Sequence, residues 1–214
     1  MKILLLGSNG PVGRRILAEA ITRGHEVTVF VRPESRAALT VKPTHVVAGN
    51  FDDSESVARA AEGQDAVISA LGLQPDGRDA FIKLYETVIT GLNKADMKRF
   101  VVVGGAGSLE VTPGIRLFDT PEFPAFILPV ARAHGEVLEL LKKSDLDWTY
   151  VSPAALFLLG DEPGERRGIY RRGTTKLLIG ENGKSEISGE DYAIGLVDEV
   201  ENPQGIRRQI TLAW

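Results

Sequence analysis

The sequence contains no cysteine. That excludes disulfides, thiolate nucleophiles and cysteine-held metal clusters. Histidine is scarce too. His25, His45 and His134 are the three, far apart, with no HxxxH-type spacing to bring two imidazoles to one metal. Neither sign of charge is in large excess: 25 Lys and Arg stand against 29 Asp and Glu, a formal net charge of −4. Such a balance gives no footing for nucleic acid or another polyanion. Long hydrophobic runs are also missing. The opening "MKILLLGSNG" is continuously apolar only from Ile3 to Leu6, short of the roughly 7–15 residues of a signal-peptide core. Nothing later reaches the roughly 18 needed to span a bilayer. The expectation is a cytoplasmic protein that engages neither membrane nor nucleic acid. With 43% apolar and 25% charged residues, the 214-residue chain suits a single domain spanning 1–214.

What is present is a strict alternation. "KILLLG" is a short unbroken apolar run, as in a strand buried on both faces. Val12, Ile16, Leu17, Ala20 and Ile21 then share one helical face, and Gly24 can end that helix. "HEVTVFVR", "THVVAGN", "DAVISALG", "KRFVVVGG" and "DWTYVSP" read as further strands, with amphipathic helices between most of them. Asp52 is placed to cap the helix in "DDSESVARAAEG", with Glu55 completing a capping box. The pattern predicts an α/β fold: a Rossmann-type, doubly wound parallel sheet. After Pro153 the rhythm changes. "TTKLLIGENGKSEIS" predicts a hairpin turning at Asn182-Gly183. A helix capped by Ser188 and the closing strand "IRRQITLAW" complete a small C-terminal hairpin-helix-strand extension. Two long segments, about 107–127 and 155–174, follow strand ends, where open α/β sheets bind ligands. Substrate-side elements are therefore expected at about 107–127 and 155–190.

The first strand runs into "GSNGPVGRRI". Three glycines alone are weak evidence, and a purely structural turn is one reading. Their position between a buried strand and an amphipathic helix favours a dinucleotide turn. There Gly7 makes the tight turn, Gly10 lets backbone approach a pyrophosphate and Gly13 lets helix pack on strand. Ser8, Asn9, Pro11 and Val12 belong to the same turn. An NAD site places Asp or Glu about 20 residues on, to hold the ribose 2′-OH. Here the second strand ends in Arg32, with Arg36 four residues later. A guanidinium suits a 2′-phosphate by charge and forked geometry, which favours NADP(H) over NAD(H). Glu34 argues the other way, and a solvated Arg32 is the alternative. Asn50 and Phe51 are positioned to border the adenine, and Ala70, Leu71 and Gly72 to lie along its ribose.

The motifs "GSNGPVGRRI", "VTVFVRPESR", "GNFDD", "DAVISALG", "VVVGGAGSL", "LDWTYVSPA" and "ISGEDYAIGLVDEVENP" together resemble the atypical short-chain dehydrogenase/reductases of the NAD(P)H-binding, NADH-flavin reductase group. Biliverdin-IX beta reductase is a more distant likeness. The resemblance implies NADP(H) across the strand ends. It puts Gly104 and Gly105 beside the nicotinamide ribose, and Ser152 and Pro153 near the nicotinamide. It also exposes a departure. The superfamily's catalytic Ser, Tyr and Lys fall on Ala106, near His134, and on Leu138.

Without that tyrosine, reduction of a ketone lacks its proton donor unless His134 or Ser108 substitutes. Hydride transfer to a flavin is less demanding, because charge spreads over the ring and solvent supplies the proton. The expected function is an NADPH-dependent oxidoreductase transferring hydride to a small planar acceptor such as flavin, whether flavin is its substrate or a bound cofactor. A non-catalytic NADP(H)-binding redox sensor is a second reading, and a nucleotide-sugar epimerase or dehydratase a third. Leu117, Phe118, Phe123 and Phe126, stiffened by Pro113, Pro121 and Pro124, form a flap suited to such an acceptor, or equally to covering the sheet edge or a homodimer contact. His134 lies on the apolar stripe of its helix, so a core histidine competes with a catalytic one.

Overall fold

The computed structural model describes residues 1–73, 77–160 and 164–214, apart from the side chains of 36–38. Eight strands form one sheet, in the order β10-β12-β8-β5-β4-β1-β2-β3. They are β1 (Lys2–Leu6), β2 (Glu26–Val31), β3 (His45–Ala48), β4 (Ala66–Ser69), β5 (Arg99–Val103), β8 (Asp147–Ser152), β10 (Arg171–Gly173) and β12 (Arg208–Ala213). Seven of them run parallel, and β10 closes one edge antiparallel to β12. This is the Rossmann-like α/β fold that the alternation predicts.

The unbroken apolar strands have a simple cause. Successive side chains point to opposite faces, and both faces are covered. Ile3 and Leu5 of β1 pack with Ile16 and Leu17 of α1 (Pro11–Thr22) and Leu196 of α5 (Gly189–Glu201). Leu4 and Leu6 pack instead with Val57 of α2 (Ser54–Ala61), Phe81 and Val88 of α3 (Arg78–Lys94), and Leu141 of α4 (Leu128–Lys143). All four β1 side chains are fully buried, each contributing about 1.5–3 kcal/mol.

β1 lies between β2 and β4, so the winding reverses there. A crevice opens at such a switch point, beyond the carboxyl ends of the strands. Gly7 leaves β1 and Ala70 leaves β4 at this place.

Local details depart from the sequence reading at two points. The cap of α2 is Asp53, not Asp52: its carboxylate accepts from the Glu55 N–H at 3.0 Å. Asp52 instead closes a turn, its own N–H donating to Asn50 Oδ1 at 3.1 Å. The predicted hairpin is only a turn. Gly183 has φ +74°, and the Gly180 N–H reaches the Lys184 carbonyl at 2.7 Å. Its flanks then part to better partners. The Leu177 N–H donates to the Glu110 carbonyl at 2.9 Å, while β11 (Glu186–Ser188) pairs in parallel with β9 (Leu156–Leu158). Ser188 caps α5 as predicted, accepting from the Asp191 N–H at 3.1 Å.

Both long segments carry short strands among their described residues. The 107–127 stretch holds a small antiparallel pair, β6 (Glu110–Thr112) and β7 (Ile115–Arg116), turning at Gly114 with φ +81°. The Glu110 N–H bonds the Thr175 carbonyl at 2.8 Å, which ties this stretch to the residues just past the second segment.

Candidate functional site

The site begins with two steric facts about glycine. Gly7 has φ +83°, and a Cβ there would lie 2.6 Å from the Ala70 carbonyl oxygen. A Cβ on Gly13 would lie 2.0 Å from the Gly7 carbonyl oxygen. The turn therefore needs hydrogen at both places to bring the start of α1 against β1. Asn9 Nδ2 donates to the Ser35 carbonyl at 3.0 Å and ties the turn to the segment after β2. The Ser8 hydroxyl is 2% exposed and has no protein partner. An enclosed hydroxyl left unbonded is costly unless a ligand completes it.

Two adjoining cavities share this turn. The smaller, about 110 Å³, is bounded by Gly7, Ser8, Asn9, Phe30, Val31, Arg32, Ser35, Phe51, Leu71, Gly72 and Leu84. It has apolar walls for a flat base and a guanidinium at its end. The larger, about 850 Å³, runs from Gly7, Asn9, Gly10, Pro11 and Val12 past Ala70, Leu71 and Gly72 to Gly104, Gly105, His134 and Pro153. Its outer wall is Leu117, Phe123, Ile127, Val130, Phe157 and Leu159. Among the described residues, its polar side chains are Asn9 and His134, and none is charged. The two cavities share Gly7, Asn9, Leu71 and Gly72 in their linings, so they meet over the glycine turn.

Several residues singled out from the sequence stand elsewhere. Gly13 lies behind the turn, where it allows close packing. Asn50 spends its side chain on the turn before α2. Ser108 and Ser152 are buried beneath the cavity, where Gln209 Nε2 on β12 donates to both hydroxyls, at 2.9 and 3.0 Å. Ser108 is thus locked by a side chain 101 residues away and faces no substrate. The side chain of Arg36 lies outside the described residues. In the flap, Leu117 and Phe123 line the cavity, Phe118 packs over Gly107 and Gly135, and Phe126 is 83% exposed. The sequence reading missed Phe157, Leu159, Ile127 and Val130. Val130 lies on α4 and Phe157 on β9, with Ile127 and Leu159 beside them; apolar spacing shows that a face packs, not that it lines a cavity.

Residues 7–203 match the model of a family described as NAD(P)H-binding. The chain belongs to that family. The uncharacterized Bacillus subtilis (strain 168) protein YwnB is 40% identical over 215 residues, covering 99% of this chain and 98% of that one. A Bacteroides thetaiotaomicron structure provisionally named an epimerase superposes with TM-score 0.88 at 40% identity, covering 100% of this chain and 96% of that one. A Streptococcus pneumoniae TIGR4 structure provisionally named an NADH-flavin reductase superposes with TM-score 0.88 at 38% identity, covering 100% and 99%. Among the described residues, no helix is long and apolar enough to cross a membrane.

The tyrosines of this NAD(P)H-binding chain are all engaged away from the cavity. Tyr150 accepts from the Gly105 N–H at 2.9 Å and donates to the His134 carbonyl at 3.0 Å. It fixes the loop after β5 from below, and a Cβ on Gly104 would strike its ring at 2.3 Å. Tyr85 bonds Ser69 at 3.0 Å and donates to the Leu71 carbonyl at 3.2 Å. Tyr170 donates to Asp198 at 2.6 Å, and Tyr192 to the Val151 carbonyl. Burial pushes the phenols of Tyr85 and Tyr150 well above their usual range, so they stay neutral.

His134 presents its ring to the cavity, edge-on to Phe81 with centroids 5.1 Å apart. Its Nδ1 is enclosed without a partner. Burial lowers its pKa from 6.5 to about 4. It is therefore a neutral imidazole near pH 7, able to hydrogen-bond but not to act as a cationic acid. Between pH 6.5 and 4 the unfolded chain binds a proton here that the folded chain refuses. Stability from this group is present above 6.5 and is lost as pH falls toward 4. The Tm of the parent is expected to fall more steeply than that of His134→Leu across that window. Parallel curves would mean the imidazole is not held neutral.

Proposed function

We propose that this family member is an NADPH-dependent oxidoreductase that passes hydride to a planar acceptor such as a flavin, without a Ser-Tyr-Lys triad. One observation carries the reading: the large cavity beside the glycine turn has apolar walls, two flat aromatic side chains and no tyrosine among its described lining. Such a chamber can align two flat molecules, and alignment is most of what this chemistry asks of a protein. The Streptococcus pneumoniae neighbour's provisional name supports the same class. When bound, NADPH supplies a hydride, the acceptor takes it with a proton drawn from water, and NADP⁺ remains.

The chain's own groups divide the work. Gly7, Gly10 and Ser8 accommodate the pyrophosphate. Arg32 faces the 2′-phosphate, Phe51 borders the base, and Gly104 and Gly105 leave room beside the nicotinamide. His134 offers a neutral hydrogen bond at the reacting end, and Phe123 and Phe157 wall the acceptor from water.

The test is NADPH oxidation by purified protein with riboflavin, followed at the nicotinamide band. Saturable acceleration over the protein-free rate is expected. Tight NADPH binding without turnover on flavins and quinones would overturn the reductase and favour a redox sensor. Arg32→Asp checks the cofactor: NADPH affinity is expected to fall about 10–100-fold, since a lost charge-assisted contact is worth about 1.5–3 kcal/mol, and NADH affinity by less than about threefold. Equal losses would refute the role of Arg32.

A further inference from the structure

We infer that the acceptor is uncharged: the wide chamber discriminates against phosphorylated or carboxylated acceptors and takes neutral ring systems such as riboflavin or a simple quinone. This deepens the hydride-transfer reading and rests on it for the nature of the acceptor.

The observation is the composition of the wall. Among the described residues lining about 850 Å³, none is Asp, Glu, Lys or Arg. Where that lining reaches the surface, its described residues are apolar too. Ile127, Val130 and Leu159 are each partly exposed there, at 38%, 39% and 37%, so a tail leaving the chamber also crosses apolar surface. The nearby guanidiniums Arg15, Arg116 and Arg132 lie outside that lining. Arg15 donates to Glu190 at 2.7 Å and to the Pro11 and Gly160 carbonyls at 2.9 Å. Arg116 and Arg132 stand over the Phe118 ring, at 5.8 and 6.0 Å from its centroid. His134 adds no charge, being neutral near pH 7.

Two costs then fall on an anionic acceptor. Its charge leaves water for a wall whose described residues offer no counter-charge. It also enters a cavity continuous with the glycine turn, where a bound dinucleotide brings phosphates of the same sign. A neutral ring meets neither cost and gains the full apolar contact.

Riboflavin and FMN separate these cases, because they share one ring system and differ in a phosphate. Each is titrated by flavin fluorescence quenching against protein saturated with NADP⁺, and each is then assayed for NADPH oxidation. FMN is expected to bind about tenfold more weakly than riboflavin or worse, the equivalent of one modest unfavourable charge interaction. Val130→Arg adds a cation at the half-exposed rim, where a long side chain stays solvated. It should shift the FMN-to-riboflavin ratio toward FMN by about tenfold, with an unchanged Tm as the folding control. Equal or tighter FMN binding by the parent overturns the inference, as does failure of riboflavin to bind up to its solubility. If riboflavin binds preferentially yet neither flavin speeds NADPH oxidation, hydride transfer fails while the charge selectivity stands. If both turn over with equal affinities, the reverse holds.

Discussion

Gly13→Ala is expected to weaken NADPH binding about 100-fold or more, whereas Gly10→Ala, three residues earlier, should leave the fold intact. The contrast is steric. A methyl at Gly13 would sit 2.0 Å from the Gly7 carbonyl oxygen and 2.9 Å from the Ser8 Cα. Both are backbone atoms of the turn, so no side chain can swing away. Either α1 moves off β1 or the turn deforms, and overpacking of this kind costs about 1–3 kcal/mol in stability. The same displacement removes the peptide geometry that a pyrophosphate would meet, and each 1.4 kcal/mol lost there is about tenfold in affinity. A Cβ on Gly10 is 3.5 Å from the Gly7 carbonyl oxygen, an ordinary contact, and the residue has φ −74°. Its methyl would project into the cavity. Gly10→Ala should therefore keep its Tm within about 2 °C, less than 1 kcal/mol for a chain of this size, while NADPH binds about tenfold more weakly. Fluorescence titration and thermal melts on both variants test this. Wild-type NADPH affinity in Gly13→Ala would mean that the turn is not the nucleotide site.

The second large effect lies far from any ligand. Glu199 on α5 is 3% exposed, yet its carboxylate is ionically paired twice. Arg99 of β5 reaches it at 3.0 Å and Arg172 of β10 at 3.1 Å. It also accepts from the Gln204 and Gly205 N–H groups at 3.1 and 2.8 Å, and the Thr149 hydroxyl of β8 lies at 3.1 Å. One carboxylate thus joins three strands, a helix and the loop before β12. Burial alone pushes the Arg99 guanidinium toward losing its proton, and Glu199 opposes that. In Glu199→Ala a largely buried cation loses its hydrogen-bonded counter-charge and keeps only the weaker attraction of Asp147, a loss of about 3–5 kcal/mol. At about 2–4 °C per kcal/mol for this chain length, the Tm should drop by roughly 10 °C. Glu199→Gln keeps the shape and part of the hydrogen bonding, and should fall between. NADPH affinity, measured where all forms are folded, should change little. A Tm unaltered in Glu199→Ala would show that the cluster carries no net stability.

Glu199 also marks where reading the sequence stops. In "GEDYAIGLVDEVEN" it looks like one more acid on a solvated helix face. Nothing local says that Arg99 and Arg172, 100 and 27 residues earlier, converge on it. Ser108 fails in the same way. Gly107 beside it suggests exposure, but Gln209 closes over it from β12. The Asn182-Gly183 hairpin fails through competition: the turn forms as its residues dictate, while Glu110 and Leu156–Leu158 claim the flanks.

By itself the sequence determined the alternating sheet and helices, the Gly7–Gly13 turn and its place at the end of β1. These follow from side-chain periodicity and from the sterics of a missing Cβ, both decided within a few residues. Tertiary structure alone decided which apolar side chains wall the wide chamber, why no tyrosine reaches it, why His134 is neutral, and which acids are structural. Those properties depend on which groups from distant parts of the chain meet, and on how much water they exclude when they do.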